Sequence, residues 1–226
     1  MFVSHYGPAF AIKAARRPPS LGAAFVAVQL VDIAWAIFIL TGVERAHLQP
    51  GFLALSSLRL DYMPYTHSLP GALAWSLAGM LLYRLLDRRG GWGAALLIGL
   101  CVFSHWVLDF LVHAPDLQLG FMSGPKVGLG WWGNPALGIG AEALALFAGF
   151  FMYLGATKPL GVAGRVAPWL LMALFVGLYA FDKLGPGPTD IAAFAPRALA
   201  AYGVIAGLGF LLDRTRAHKA RLQVKS

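Results

Sequence analysis

The sequence predicts an all-α integral membrane protein with about six transmembrane helices and a short N-terminal re-entrant or amphipathic helix. Three observations carry that prediction. Hydrophobic residues make up 58% of the 226-residue chain and charged residues only 12%, about half the charged share of a soluble domain, so there are too few polar side chains to cover a core in water. Six apolar stretches reach the roughly 20 residues needed to cross a bilayer. The basic excess, 18 Lys+Arg against 10 Asp+Glu for a net charge of +8, is spread over loops. It therefore lacks the concentrated basic face that a nucleic-acid partner requires. The single cysteine, Cys101, lies inside an apolar run and excludes an intrachain disulfide scaffold.

The spans are expected at residues 21 to 42, 68 to 86, 92 to 112, 134 to 156, 166 to 184 and 194 to 212. Breakers separate them: Pro18-Pro19, the loop around Pro64, Arg88-Arg89-Gly90-Gly91, the Gly/Pro-rich run from Pro115 to Pro135, Pro159-Leu160-Gly161, and Gly185-Pro186-Gly187-Pro188. With both termini placed in the cytoplasm, thirteen Lys and Arg residues fall inside and five (Arg45, Arg59, Lys126, Lys183 and Arg197) fall outside, the asymmetry of the positive-inside rule. The run after Arg16 and Arg17 is too long for a signal-peptide core, so the first helix is expected to stay uncleaved. The whole chain reads as one polytopic membrane domain, with residues 1–133 carrying the candidate metal site and 134–226 supplying supporting helices. Glycines inside spans, such as Gly99, Gly149 and Gly207, are expected at close helix contacts. Trp131, Trp132, Tyr62 and Tyr65 are expected in an aromatic belt at the outer interface.

Ionisable side chains at membrane depth are costly and normally face the bundle interior. The third span carries His105, Asp109 and His113 at positions i, i+4 and i+8. Each step of four residues advances the helix by about 400°, so the three share one stripe. Asp32 in the first span and Glu142 in the fourth lie at depths that can meet it, and His67 opens the second span. His5 reaches the same level if residues 2–17 form a short helix rising from the basic pair Arg16-Arg17, a re-entrant segment shielded by protein. Imidazole nitrogen and carboxylate oxygen suit Zn²⁺ or a similar divalent metal. The expected ligands are His5, Asp32, His67, His105 and Asp109, with His113, Asp61 or Glu142 as proton shuttle or further ligand. His47 and His218 read as loop and tail residues.

At these residues the sequence resembles the bacterial family of predicted inner-membrane metal-dependent hydrolases, among them the LexA-regulated hydrolases. The likeness rests on His5, Leu30-Val31-Asp32-Ile33-Ala34, Thr66-His67-Ser68 and Ser104-His105 with Asp109, and it covers roughly the first half of the chain. Two places differ: Ala34 stands where the family pattern has a second Asp, and Met63-Pro64-Tyr65 stand where it often has His-Arg-Gly. The resemblance implies a bacterial inner-membrane location and metal-dependent hydrolysis. A site buried among helices would favour a phosphoester or ester carried on a membrane lipid. A divalent-cation transporter is the alternative use of the same cluster, although the last span offers no counterpart to His105 and Asp109. A membrane protein whose polar residues only join helices is the third reading.

Overall fold

In the computed structural model, residues 3–15, 18–185 and 190–219 are described. The architecture is all-α and membrane-type. Five helices are long and apolar enough to cross a bilayer: α4 (Leu69–Leu86), α5 (Gly91–Val112), α6 (Pro135–Ala156), α7 (Val162–Leu184) and α8 (Ile191–Thr215). The pair α2 (Leu21–Val28) and α3 (Leu30–Leu40), bent by 46°, is apolar enough to make a sixth if the two count as one span. The expected single helix over residues 21 to 42 is therefore broken. Gln29, at φ −105° and ψ 3°, leaves the helical region and ends α2.

Local chemistry sets the helix starts. Ser20, Ser68, Asn134 and Asp190 each accept a backbone N–H of the first turn that follows, which satisfies donors the helix cannot. Pro70 and Pro135 occupy first-turn positions where no amide is needed. Between α4 and α5 the Asp87 carboxylate accepts from the Tyr83 hydroxyl at 2.8 Å and from the Arg89 and Gly90 amides. These donors, the Tyr83 hydroxyl first, hold its pKa below the usual carboxylate value.

The N-terminal segment folds inward as a helical turn over Val3–His5 followed by α1 (Tyr6–Ala11). It reaches this position because α1 and α6 meet backbone to backbone. A methyl group on Gly149 would overlap the Gly7 carbonyl, and one on Gly7 would overlap the Ala145 carbonyl. The same economy appears where α2 meets α8, with the Gly22 and Gly209 backbones in contact. Gly99 meets Met80 and Ser76 closely, whereas Gly207 faces open space and takes no part in helix packing. Around α1, Tyr6, Phe10, Phe25, Phe150 and Phe175 form the main apolar core.

Residues 43–67, which fall between the first two expected spans, contain a hairpin of β1 (Arg45–Leu53) and β2 (Ser56–Tyr62). The signal was present: Leu58-Arg59-Leu60-Asp61-Tyr62 alternates apolar and polar residues, the period of a strand. The hairpin leans over the bundle. The Leu55 amide donates to the Trp132 carbonyl at 3.0 Å, and Lys183 donates to the Leu55 carbonyl at 3.1 Å.

Candidate metal centre

α5 contributes the stripe. His105 Nε2 lies 3.2 Å from Asp109 Oδ2, and His113 Nε2 lies 3.9 Å from Asp109 Oδ1, as one-turn spacing along a helix requires. The bent span brings Asp32, whose Oδ1 is 3.3 Å from His105 Nε2 and 3.5 Å from His67 Nε2. The segment ahead of α4 brings His67, also 3.7 Å from Asp109 Oδ2. The N-terminal turn brings His5, whose Nε2 is 3.3 Å from Asp109 Oδ1 and whose ring stacks on that of His105 with centroids 3.8 Å apart. All five expected ligands thus meet in one place. His5, His105 and Asp109 form one group, and Asp32, His67 and His105 another, with donor atoms within 4.8 Å of one another.

Hydrogen bonds on the far side of two rings decide which nitrogens face inward. His105 Nδ1 lies 2.8 Å from the Val28 carbonyl, which can only accept, so Nδ1 carries the proton. Nε2 is then the nitrogen turned toward the two carboxylates. His67 Nδ1 lies 2.8 Å from the Thr66 hydroxyl, and that hydroxyl donates to Glu44 Oε2. Its proton being spent there, Thr66 accepts from His67, which also turns Nε2 inward. Glu44 is held by the Tyr65 and Thr66 amides at 2.9 Å each. Such outward bonds fix the tautomer of metal-binding histidines.

Three of the inner nitrogens have no hydrogen bond. His5 Nδ1, His5 Nε2 and His105 Nε2 are buried with no hydrogen-bond partner in spite of the nearby carboxylates. Two carboxylates in a dry interior call for positive charge between them, and an unmet buried polar atom costs about 1–3 kcal/mol. A divalent cation cancels the two negative charges and satisfies the inward nitrogens together. The residues therefore fit a divalent metal. Since His105 belongs to both groups and has one inward nitrogen, only one group at a time holds its full set.

The three remaining candidates separate. His113, expected near the outer surface, is buried; its Nδ1 is 3.4 Å from Asp116 Oδ1 and its ring packs against Trp132. Glu142 is buried too, but its oxygens are taken by Ser4 Oγ at 3.0 Å and Trp132 Nε1 at 2.6 Å. It anchors the residue beside His5, which makes it a positioning group. Asp61 is not brought to the cluster: it lies on β2 and pairs at 2.7 Å with His47 across the hairpin, both exposed. Trp132 likewise leaves the expected aromatic belt for the interior.

Sequence reasoning missed four contributors. Glu44 looked like a loop acid beside the first span. Tyr202 of α8 donates to Asp32 Oδ2 at 3.0 Å, and its phenol deep in an apolar span was the available signal. Ser4 and Asp116 had none. Replacing Thr66 by valine, which keeps shape and removes the hydroxyl, is expected to weaken metal binding about 10–100-fold. Chelator competition measures this, Thr66→Ser should restore affinity, and unchanged affinity in Thr66→Val would remove the relay from the account.

Above the cluster lies a cavity of about 610 Å³ lined by Asp32, His67, Asp109 and His113, by the hairpin, and by α7 and α8. That size is typical of ligand sites. No protein-family model matches this chain, and no curated protein or solved structure matches it either.

Proposed function

We propose that the protein is a membrane-embedded metal-dependent hydrolase acting on a phosphoester or ester, with the substrate carried on a membrane lipid. The observation that carries this reading is the pair of inward nitrogens, Nε2 of His67 and of His105, set against Asp32 and Asp109 beside a cavity. The resemblance of His5, Asp32, Thr66-His67-Ser68 and Ser104-His105 with Asp109 to the inner-membrane hydrolases points the same way, and with it we propose a bacterial inner-membrane location.

Either His5, His105 and Asp109 or Asp32, His67 and His105 would hold the ion, for which the nitrogen and oxygen donor set favours Zn²⁺. A bound divalent ion supplies acidification of water toward neutral pH and polarisation of the oxygen under attack. The chain supplies the rest. Asp109 and Asp32 set the negative charge that selects a dication, and the Tyr202 hydroxyl and Val28 carbonyl hold Asp32 and His105 in place. His113, on the cavity wall between Asp109 and Asp116, takes the proton released as water oxygen bonds to phosphorus or carbon. It returns that proton to the oxygen that departs when the ester bond breaks.

The test is release of headgroup or phosphate from a panel of lipids by purified protein loaded with Zn²⁺. Release should be abolished by Asp109→Asn and slowed by about 10²–10⁴-fold in His113→Gln, the span of general acid–base effects. Zn²⁺ flux into proteoliposomes without any lipid hydrolysis would replace this reading with transport.

A further inference from the structure

The cavity has two chemically distinct sides. Its floor is the His/Asp cluster; its wall is apolar, with Trp35, Leu58, Leu178 and Phe194; and two cations, Lys183 and Arg197, line it from α7 and α8. The two cations are not equivalent. Lys183 is engaged: it pairs with Asp182 at 2.8 Å, donates to the Leu55 carbonyl, and lies 5.0 Å from the Trp132 ring centre. It fastens the hairpin to the bundle. Arg197 is exposed on α8, and among the described residues no carboxylate lies within ion-pair distance of it.

We propose that Arg197 is the phosphate-recognising residue of this cavity, and that the substrate is a lipid phosphoester in preference to a neutral carboxyl ester. The inference rests on the reading of the cluster as a cation site and narrows its substrate. A phosphate carries enough charge and enough oxygens to be shared between a dication and a guanidinium, which binds it through a two-pronged hydrogen-bonded contact. A carboxyl ester carries no charge for Arg197 to meet. The apolar wall gives the attached chain a place that a free phosphate would leave empty, and burying that chain is favourable. Charge on one side and hydrocarbon on the other together select an anionic amphiphile.

Native mass spectrometry of the full chain in detergent, incubated with Zn²⁺, tests this with three probes: dioleoyl phosphatidic acid, dioleoylglycerol and glycerol 3-phosphate. Phosphatidic acid should bind at least about tenfold more tightly than the other two. Arg197→Gln should weaken phosphatidic acid by about tenfold, the scale of one charged hydrogen-bonded contact, and leave dioleoylglycerol unchanged. Arg197→Lys should retain part of the preference. Equal binding of phosphatidic acid and dioleoylglycerol, or an Arg197→Gln protein with undiminished preference, overturns the inference. Binding of glycerol 3-phosphate as tight as phosphatidic acid overturns the lipid part of it. Metal content measured on the same samples separates this result from the cluster reading. A metal-free protein that still discriminates through Arg197 upholds phosphate recognition and defeats the hydrolase, whereas a metal-loaded protein without the preference does the reverse.

Discussion

His105→Ala is expected to take the divalent metal of the purified protein from a stoichiometric amount to background. No other side chain belongs to both groups of candidate ligands. Its loss also leaves the Asp32 and Asp109 carboxylates facing each other across an empty volume. Removing an outer partner of a metal ligand typically costs 10–100-fold in affinity, so removing the ligand itself should cost more. Because the alanine opens a void under the stacked His5 ring, Asp109→Asn provides a companion of unchanged shape that should lose metal as well. His47→Ala is the control, since His47 pairs only with exposed Asp61 on the hairpin. Elemental analysis of the four proteins decides the matter: metal retained in His105→Ala, or none in well-folded wild type, removes the basis for the proposed chemistry.

Gly149→Ala should destabilise the protein and empty the site together, although the residue touches no ligand. The added methyl would meet the backbone of Gly7, which cannot rotate away, so α1 and α6 must separate. Overpacking of this kind costs about 1–3 kcal/mol. Separation moves the turn that carries His5, fully buried against His105 and Asp109, and strains the Ser4 to Glu142 bond. Gly155→Ala on the same helix, with nothing within 4 Å of the new methyl, should change neither property. Thermal unfolding in detergent and chelator competition read the two effects. A Gly149→Ala protein with wild-type melting and wild-type metal affinity would show that the crossing tolerates a wider spacing.

Much of this could be read from the sequence because a bilayer restricts what a chain can do. The five long helices begin and end within a few residues of the expected spans, and the stripe on α5 follows from helical period alone. Helix rise gave the depth at which His5, Asp32 and His105 could meet. What stayed hidden depends on side-chain hydrogen bonds between distant segments. Nothing in the order of residues announces that Glu44 fixes Thr66, that Thr66 fixes His67, or that Tyr202 reaches Asp32. The break at Gln29 is hidden for a different reason: Phe25-Val26-Ala27-Val28 before it and Leu30-Val31 after it are apolar, so hydropathy continues across a backbone that does not. Asp61 and His113 offer the same polar character in sequence, and only packing separates them, one onto an exposed strand and the other against Trp132.

The meeting of α1 with α6 bears on how the protein is made. All five candidate ligands have been synthesised by residue 109, yet the turn holding His5 is clamped by Gly149 and Glu142, and Asp32 is held by Tyr202. A chain emerging from the ribosome thus carries the complete ligand set through several insertion events before the parts that lock it exist. If the cluster holds an ion as proposed, its capture would fall late, once the last helix has set Tyr202 against Asp32.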